Sequence, residues 1–323
     1  MNTAFISFTA GIEYELNRLE ERLLAAVPVD NGAVGERIRD IVRAGGKRLR
    51  PSLTFYTGRI FNADLERTIA VAAGLEMLHT ATLVHDDLVD NARERRGVPT
   101  LNAFFPPGLV ILSGDMLFAQ AAQLVAEADH VGIMRAFART LNEICRGELV
   151  QAQTKHVLVP IDEYYTRIYG KTGSLFRAAA EAGAMLGKAE PHEVEVMGNY
   201  GRLLGMAFQI VDDALDFTSN AERMGKPSGH DLREGVITLP VLLYSAREGN
   251  LNGTFRRVVA GTATEEQINA TVAAIAASGV IDESLEIARD FARQARQSLA
   301  ALPDSLARQQ LMQLTYMAVD RDH

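Results

Sequence analysis

Apolar residues recur every three to four positions through almost the whole chain, the period of an α-helix. Residues 12–27, IEYELNRLEERLLAAV, are amphipathic and stop at Pro28. Residues 65–90 are apolar all round, as a helix buried in a large bundle would be. Segments 107–128, 130–152, 161–187 and 192–217 repeat the theme. The last third supplies shorter helices, TEEQINATVAAIAAS behind a cap at Thr264 and SLEIARDFARQARQSLAAL. Alternating strand patterns with turn signals are essentially absent. Glycine and proline mark loops at 44–51, 97–107 and 223–235, with no low-complexity linker, composition break or short repeat. The pattern predicts an all-α protein, a single domain over residues 1–323, whose long central helices surround a core.

Composition narrows the function classes. The 323 residues are 47% hydrophobic and 23% charged, enough for a large core. A net charge of -8 argues against a nucleic-acid binder, because phosphate backbones select basic surfaces. Cys145 is the single cysteine, so neither a disulfide frame nor a multi-cysteine metal site is expected. The N-terminus lacks the basic region and apolar stretch of a secretion signal. No uninterrupted apolar run reaches roughly 18 residues, so no membrane span is expected and a cytoplasmic address follows.

Against that background, LVHDDLVDNARERRG is unusual. Asp86, Asp87 and Asp90 stand at i, i+1 and i+4 among apolar neighbours, so the first and last share a helix face one turn apart. Three close carboxylates repel one another unless something positive neutralises them. Alone, such a motif commonly marks an exposed acidic turn. Here it recurs: QIVDDALDF places Asp212, Asp213 and Asp216 at the same spacing in a second apolar helix. Oxygen-only ligands suit a hard cation, and magnesium binds one or two carboxylates while filling its shell with water and phosphate. Two facing triplets would clamp a diphosphate through magnesium ions.

The basic residues meet the same demand. GGKRLRP puts Lys47, Arg48 and Arg50 on a glycine-flanked turn with Pro51 placed to open a helix, the makings of an anion site. Arg95 and Arg96 follow the first triplet closely enough to reach a metal-held phosphate, or to balance its aspartates. His79 lies two turns before Asp86 on about the same face, either a satisfied buried histidine or a donor to an anion. Lys171 and Thr172 interrupt the helical run YYTRIYGKTGSLFRAA; the full glycine-rich loop after a strand is missing, so a nucleotide loop is rejected. Gln209 shares a face with Asp212 and Asp216. Lys226 sits in GKPSGHDLREG, a glycine-rich charged loop suited to closing over a diphosphate or to serving as a plain connector.

Together these strings resemble the trans-prenyltransferases, the polyprenyl diphosphate synthases. GGKRLRP, LHTATLVHDDLVDNARERRG, GDMLFAQA, GKTGSLF, GMAFQIVDDALDF, DLREGVITLP and LTYMAVDRDH stand in that family's order and approximate spacing over most of the chain. The resemblance implies the isoprenoid synthase fold, a bundle of long antiparallel helices around a deep apolar cavity, and a homodimer. It implies repeated condensation of isopentenyl diphosphate with an allylic diphosphate, with several Mg2+ ions held by Asp86, Asp90 and Asp212 and with Asp87, Asp213 and Asp216 nearby. By the same resemblance Lys47, Arg50, His79 and Arg96 bind isopentenyl diphosphate. Arg95, Lys171, Thr172, Gln209 and Lys226 hold the allylic partner, with Arg95, Arg96 and Lys171 among the catalytic groups beside the metal-binding aspartates. Membrane contact would be transient, for product release.

One departure is Val236, where many family members carry lysine; this puts one cationic contact to the allylic diphosphate in question, while Lys226 remains. Leu78, Ala81 and Thr82 precede the first triplet by one to two turns and would wall the tail cavity. Short-chain members often put an aromatic near the position of Ala81, and LHTATLVHDD looks most like the long-chain members such as octaprenyl and heptaprenyl diphosphate synthases. The alternatives are a farnesyl- or geranylgeranyl-type short-chain synthase, a class I terpene cyclase, and a non-catalytic partner subunit. A cyclase normally mixes Asn, Ser or Thr with Glu in its second metal motif, and a partner subunit commonly loses one triplet.

Overall fold

The helical period is realised as long helices in the computed structural model, which describes residues 9, 11–28, 32–218, 228–247 and 253–320. The chain gathers into two compact units, each taken here by itself. The first comprises Met1–Leu141, Leu175–Gly201 and Leu302–Leu311, the second Asn142–Ser174, Arg202–Ala301 and Met312–His323.

In the first unit, α1 (Glu13–Ala26), α2 (Gly32–Ala44), α3 (Leu49–Ile60), α4 (Leu65–Val89) and α5 (Pro107–Ala126) follow one another. Helix α4 is the centre. Asp64 starts it, its carboxylate accepting the Arg67 N–H at 2.9 Å, and Glu66 complements the helix dipole in the first turn. From Thr68 to Leu78 every residue is buried, which is why the segment carries no polar face. α1, α3 and α5 pack against it. At Gly74 the approach to α5 is close enough to exclude a side chain: a Cβ there would lie 2.5 Å from Val125 Cγ2 and 2.9 Å from the Ala121 carbonyl.

A short hairpin lies between α4 and α5. β1 (Glu94–Arg95) pairs antiparallel with β2 (Val98–Pro99), Arg95 opposite Val98. The two turn residues, Arg96 and Gly97, both have positive φ (55° and 77°), as a type I′ hairpin turn requires. Two-residue strands offer no alternation to read, so this element escapes the hydrophobic pattern. Among the described residues α5 is the one helix long and apolar enough to cross a membrane. Its inward face, Val110, Leu117, Ala121, Leu124 and Val125, is buried, as in a core helix packed on α4.

Helix α6 (Val131–Gln153) passes from the first unit to the second at Leu141, and α7 (Ile161–Ile168) belongs to the second. A π-helical turn, Tyr169–Gly173, leads into α8 (Ser174–Leu186), and α9 (Pro191–Leu215) carries the second triplet. The remainder is α10 (His230–Arg233), α11 (Leu239–Arg247), α12 (Gly253–Val259), α13 (Glu265–Ala277), α14 (Val280–Ser298) and α15 (Leu306–Val319). Thr264 caps α13 in a capping box with Gln267, as read from sequence. The expected loop 223–235 contains one helical turn, α10, because Asp216 accepts the N–H groups at its start. The second unit's core joins Tyr164, Ile168, Ile210, Val211, Leu239 and Ala288, and beside them Phe217, Leu232, Ile237, Val241 and Phe255.

Gly74→Val overpacks the α4–α5 contact, and the expected loss is about 1–3 kcal/mol of stability. Chemical denaturation measures it; an unchanged midpoint contradicts the close approach.

Candidate active site

The first triplet ends α4. Asp87 is 5% exposed and its Oδ1 accepts from Arg95 Nε at 2.7 Å. Asp86 is half-buried, and Asp90 is exposed at the helix C-cap, its N–H on the Asp86 carbonyl at 2.8 Å. The hairpin therefore returns one arginine to the middle carboxylate and leaves the outer two at the boundary with solvent.

The other basic residues converge behind this triplet. A small cavity is walled by Arg48, Glu76, His79, Asp87, Arg95 and Arg96, with Thr80 and Leu83 between them. Arg96 donates to the Gly45 carbonyl, tying the hairpin to the glycine turn. Lys47 is exposed on that turn; Arg50, in the first turn of α3, lies over the Phe176 ring with its guanidinium carbon 4.7 Å from the centroid. Of the three basic residues in the turn, Arg48 departs from the anion-site expectation: Glu20 and Glu76 already hold it. Burial, then the charges of Arg50, Arg96, Arg95 and Arg48, press His79 well below the usual imidazole range. His79 is thus a neutral side chain at neutral pH, able to donate one hydrogen bond without adding charge.

The second triplet repeats the design of the first. Asp213 is 3% exposed; its Oδ2 accepts from the Tyr164 hydroxyl and its Oδ1 from Gln209 Nε2, each at 2.8 Å. Gln209 Oε1 in turn accepts from the Thr172 hydroxyl at 2.6 Å, so Thr172, Gln209 and Asp213 form one chain of hydrogen bonds. Burial is the chief cause that raises the Asp213 carboxyl to about 6. Asp212 is half-buried. Asp216 accepts the N–H groups of His230 and Asp231, both at 3.1 Å, and so anchors α10.

Lys171 lies in the π turn, paired with Glu148 Oε1 at 2.7 Å. The turn closes on α6 through two glycines: a Cβ on Gly170 would be 2.8 Å from the Glu143 carbonyl, and one on Gly147 would be 3.0 Å from the Lys171 nitrogen. Such turns concentrate at functional positions because they re-aim side chains. Lys226 lies outside the described residues. Val236, at the departure from the family pattern, is half-buried and closes a turn through its N–H on the Asp231 carbonyl. His156 supports that turn: its N–H meets the Gly235 carbonyl at 2.8 Å and its Nδ1 lies 3.0 Å from the Val259 carbonyl. The imidazole fills the space where a Cβ on Gly235 or on Gly261 would stand, at 2.5 and 2.6 Å.

Sequence reasoning passed over Asp231. Burial first, then the charges of Asp216 and Asp213, raise its carboxyl to about 8. Its place in a charged loop gave no periodic signal; only its position as the first residue of the string DLREGVITLP hinted at it. Of the residues expected to wall a tail cavity, Leu78 and Ala81 are fully buried in the first unit, and Thr82 is half-buried with its hydroxyl on the His79 carbonyl.

A helical chain with a buried, hydrogen-bonded aspartate at the centre of each of two triplets has the architecture of an isoprenoid synthase. The crystal structure of a polyprenyl synthase from Caulobacter crescentus CB15, complexed with calcium and isoprenyl diphosphate, superimposes with a TM-score of 0.93 at 34% identity, covering 98% of both chains. The heptaprenyl diphosphate synthase component 2 of Geobacillus stearothermophilus is 36% identical over 310 residues, 96% of each chain. The octaprenyl diphosphate synthase of Haemophilus influenzae (strain ATCC 51907 / DSM 11121 / KW20 / Rd) is 33% identical, over 96% of this chain and 94% of its own. The polyprenyl synthetase family model matches residues 32–276, running through both units. The chain belongs to the polyprenyl synthetase family and is a prenyltransferase.

The depressed His79 pKa has a measurable sign. Its stabilising contribution is present above the unfolded value of about 6.5 and is lost as pH falls from there towards the folded value, because the unfolded imidazole takes up the proton. Thermal unfolding of wild type and His79→Gln between pH 7.5 and 5 is the check: the wild type is expected to lose more than the variant. Parallel curves contradict the assignment.

Proposed function

We propose that this enzyme condenses isopentenyl diphosphate repeatedly onto an allylic diphosphate to build a long-chain polyprenyl diphosphate, with residues 1–323 acting as one synthase domain. The observation that carries the reading is the repeated triplet design. In each triplet the middle aspartate is buried and held by protein groups, Asp87 by Arg95 and Asp213 by Tyr164 and Gln209. The flanking Asp86, Asp90 and Asp212 are half-buried or exposed.

Among the described residues no three acidic, histidine or cysteine side chains converge as a complete metal cage. Magnesium binds few carboxylates and completes its shell with water and phosphate oxygens, which suits the half-buried Asp86 and Asp212 and the exposed Asp90. Asp86, Asp90 and Asp212 would hold it, with Asp87, Asp213 and Asp216 fixing the surroundings. When bound, the metal supplies Lewis-acid charge that makes the allylic diphosphate a better leaving group. The Caulobacter structure, complexed with calcium, supports a divalent cation; magnesium is the finer reading.

The chain's own residues then divide the two substrates. Lys47, Arg50, Arg96 and the neutral His79 take the isopentenyl diphosphate; Arg95, Lys171, Thr172, Gln209 and Lys226 take the allylic one. Arg95 already touches Asp87, so it spans carboxylate and diphosphate. The isopentenyl double bond attacks the allylic carbon as the diphosphate departs, and a proton is then lost, the departing diphosphate accepting it. Apolar helix walls keep water from the allylic cation. Val236 offers no charge where a lysine is common, so Lys171 and Arg95 carry more of the allylic contact.

Exposed Leu109, Ile111 and Leu112 on α5 give an apolar face suited to a second copy of the chain, and we read the enzyme as a cytoplasmic homodimer that touches membranes only as product leaves. Because the Geobacillus relative is named as a component of its synthase, the chain is assayed alone.

Asp86→Ala and Asp212→Ala are each expected to cut turnover about a thousandfold while the helical circular dichroism is kept, a loss of several kcal/mol of transition-state stabilisation. Near-normal turnover in either variant removes the metal reading.

Product length tests the tail cavity separately. Ala81 is fully buried one turn before the triplet, and bulk added there has nowhere to go. Ala81→Phe is expected to shift the products to shorter chains, read by chromatography after dephosphorylation. An unchanged distribution means Ala81 does not set length.

A further inference from the structure

Arg48 stands next to Lys47 in the glycine turn, yet its guanidinium is spoken for. Nε and Nη2 donate to the two carboxylate oxygens of Glu20 at 2.6 and 2.9 Å. Nη2 also donates to the Val42 carbonyl at 2.8 Å, and Nη1 donates to Glu76 Oε1 at 2.8 Å. Most of the guanidinium's N–H directions are therefore taken before any ligand arrives. Glu76 is 5% exposed, on the buried stretch of α4 one turn before His79, and its charge also acts on Arg96. The turn is shaped around these two guanidiniums. Arg48 itself is left-handed (φ 49°). A Cβ on Gly45 would lie 2.8 Å from Arg48 Nη2, and one on Gly46 would lie 2.9 Å from Arg96 Nη1.

We propose that Arg48 and Glu76 are positioning residues for the isopentenyl diphosphate site: the pair locks the glycine turn and the Arg96 guanidinium in place, and Arg48 takes no phosphate. The inference rests on the reading that Lys47, Arg50, His79 and Arg96 bind that diphosphate. Its physical basis is the cost of a lone buried charge. Glu76 without Arg48 is an uncompensated ion in a low-dielectric wall; Arg48 without the Glu76 charge keeps Glu20 but loses the partner that anchors its Nη1 on α4, and the turn shifts in either case.

The two roles predict opposite signs. Glu76→Gln keeps the shape of the side chain and removes its charge, leaving a neutral acceptor that holds Arg48 Nη1 more weakly. If Arg48 positions, the KM for isopentenyl diphosphate rises about tenfold while the allylic KM and kcat stay within about twofold, since a small misplacement of binding groups is expensive. If Arg48 is a phosphate ligand restrained by Glu76, its release lowers that KM, which overturns the proposal; so does an unchanged KM. Arg48→Lys keeps the charge and loses the planar fork, and it is expected to raise the same KM as Glu76→Gln does. A wild-type KM in Arg48→Lys counts against the proposal. Glu76→Asp, which keeps the charge, is measured alongside in case Glu76→Gln folds poorly, and is expected to give a smaller rise in the same constant. Arg96→Ala separates the two layers of the argument. If it leaves the isopentenyl KM unchanged, the site assignment itself fails. If it raises that KM while neither Glu76 variant does, the assignment stands and the positioning role falls.

Discussion

An ionised carboxylate inside an apolar helix is tolerable only when a partner meets it within hydrogen-bond reach, because its lost hydration is worth several kcal/mol or more. This protein applies that constraint repeatedly. Asp87 has Arg95, Asp213 has Tyr164 and Gln209, Glu76 has Arg48, and Glu181 has Arg139 and Arg177. Each pairing fixes a carboxylate in a helix that would otherwise be plain core. The rest of the site follows from where these anchors sit. With the middle aspartate of each triplet held by its partners, Asp86 and Asp212 sit beside it in the last turn of a helix at the edge of the buried zone.

The same constraint explains an arrangement of basic groups that looks redundant in the sequence. Arginines crowd the stretch from 48 to 96, yet they do different work. Arg95 is tied to a carboxylate of the triplet, Arg96 to a backbone carbonyl, and Arg50 to the face of an aromatic ring. Arg48 is neutralised by two glutamates. Burial first, and then the crowding of positive charge, disfavour a further cation, and so the histidine among them is held neutral.

Much of this was legible before any coordinates. Helix α4 announced itself as buried by having no polar face, and the Thr264 cap and the boundaries near 107, 131 and 191 were readable from proline, capping residues and period. The triplets and the basic turn were legible because chemistry demanded those residue types at those spacings. What stayed hidden depended on contacts distant in sequence. Arg48 finds each of its two glutamates 28 positions away, and nothing local marks it as different from Lys47 or Arg50. Asp231 gains its character from burial and then from the charges of Asp216 and Asp213, at and just past the end of another helix. The hairpin at 94–99 is too short for alternation, and the π turn showed only as an interruption at Lys171 and Thr172.

The imidazole of His156 occupies the volume that side chains on Gly235 and Gly261 would need. Those three positions, spread over more than a hundred residues, therefore behave as a single heritable character. Both glycines also stand at positive φ (78° and 68°), so a larger residue at either is barred twice, by the imidazole and by the backbone itself. Since Gly235 adjoins Val236, whose N–H closes the turn on the Asp231 carbonyl, the packing of this trio also fixes the backbone at position 236.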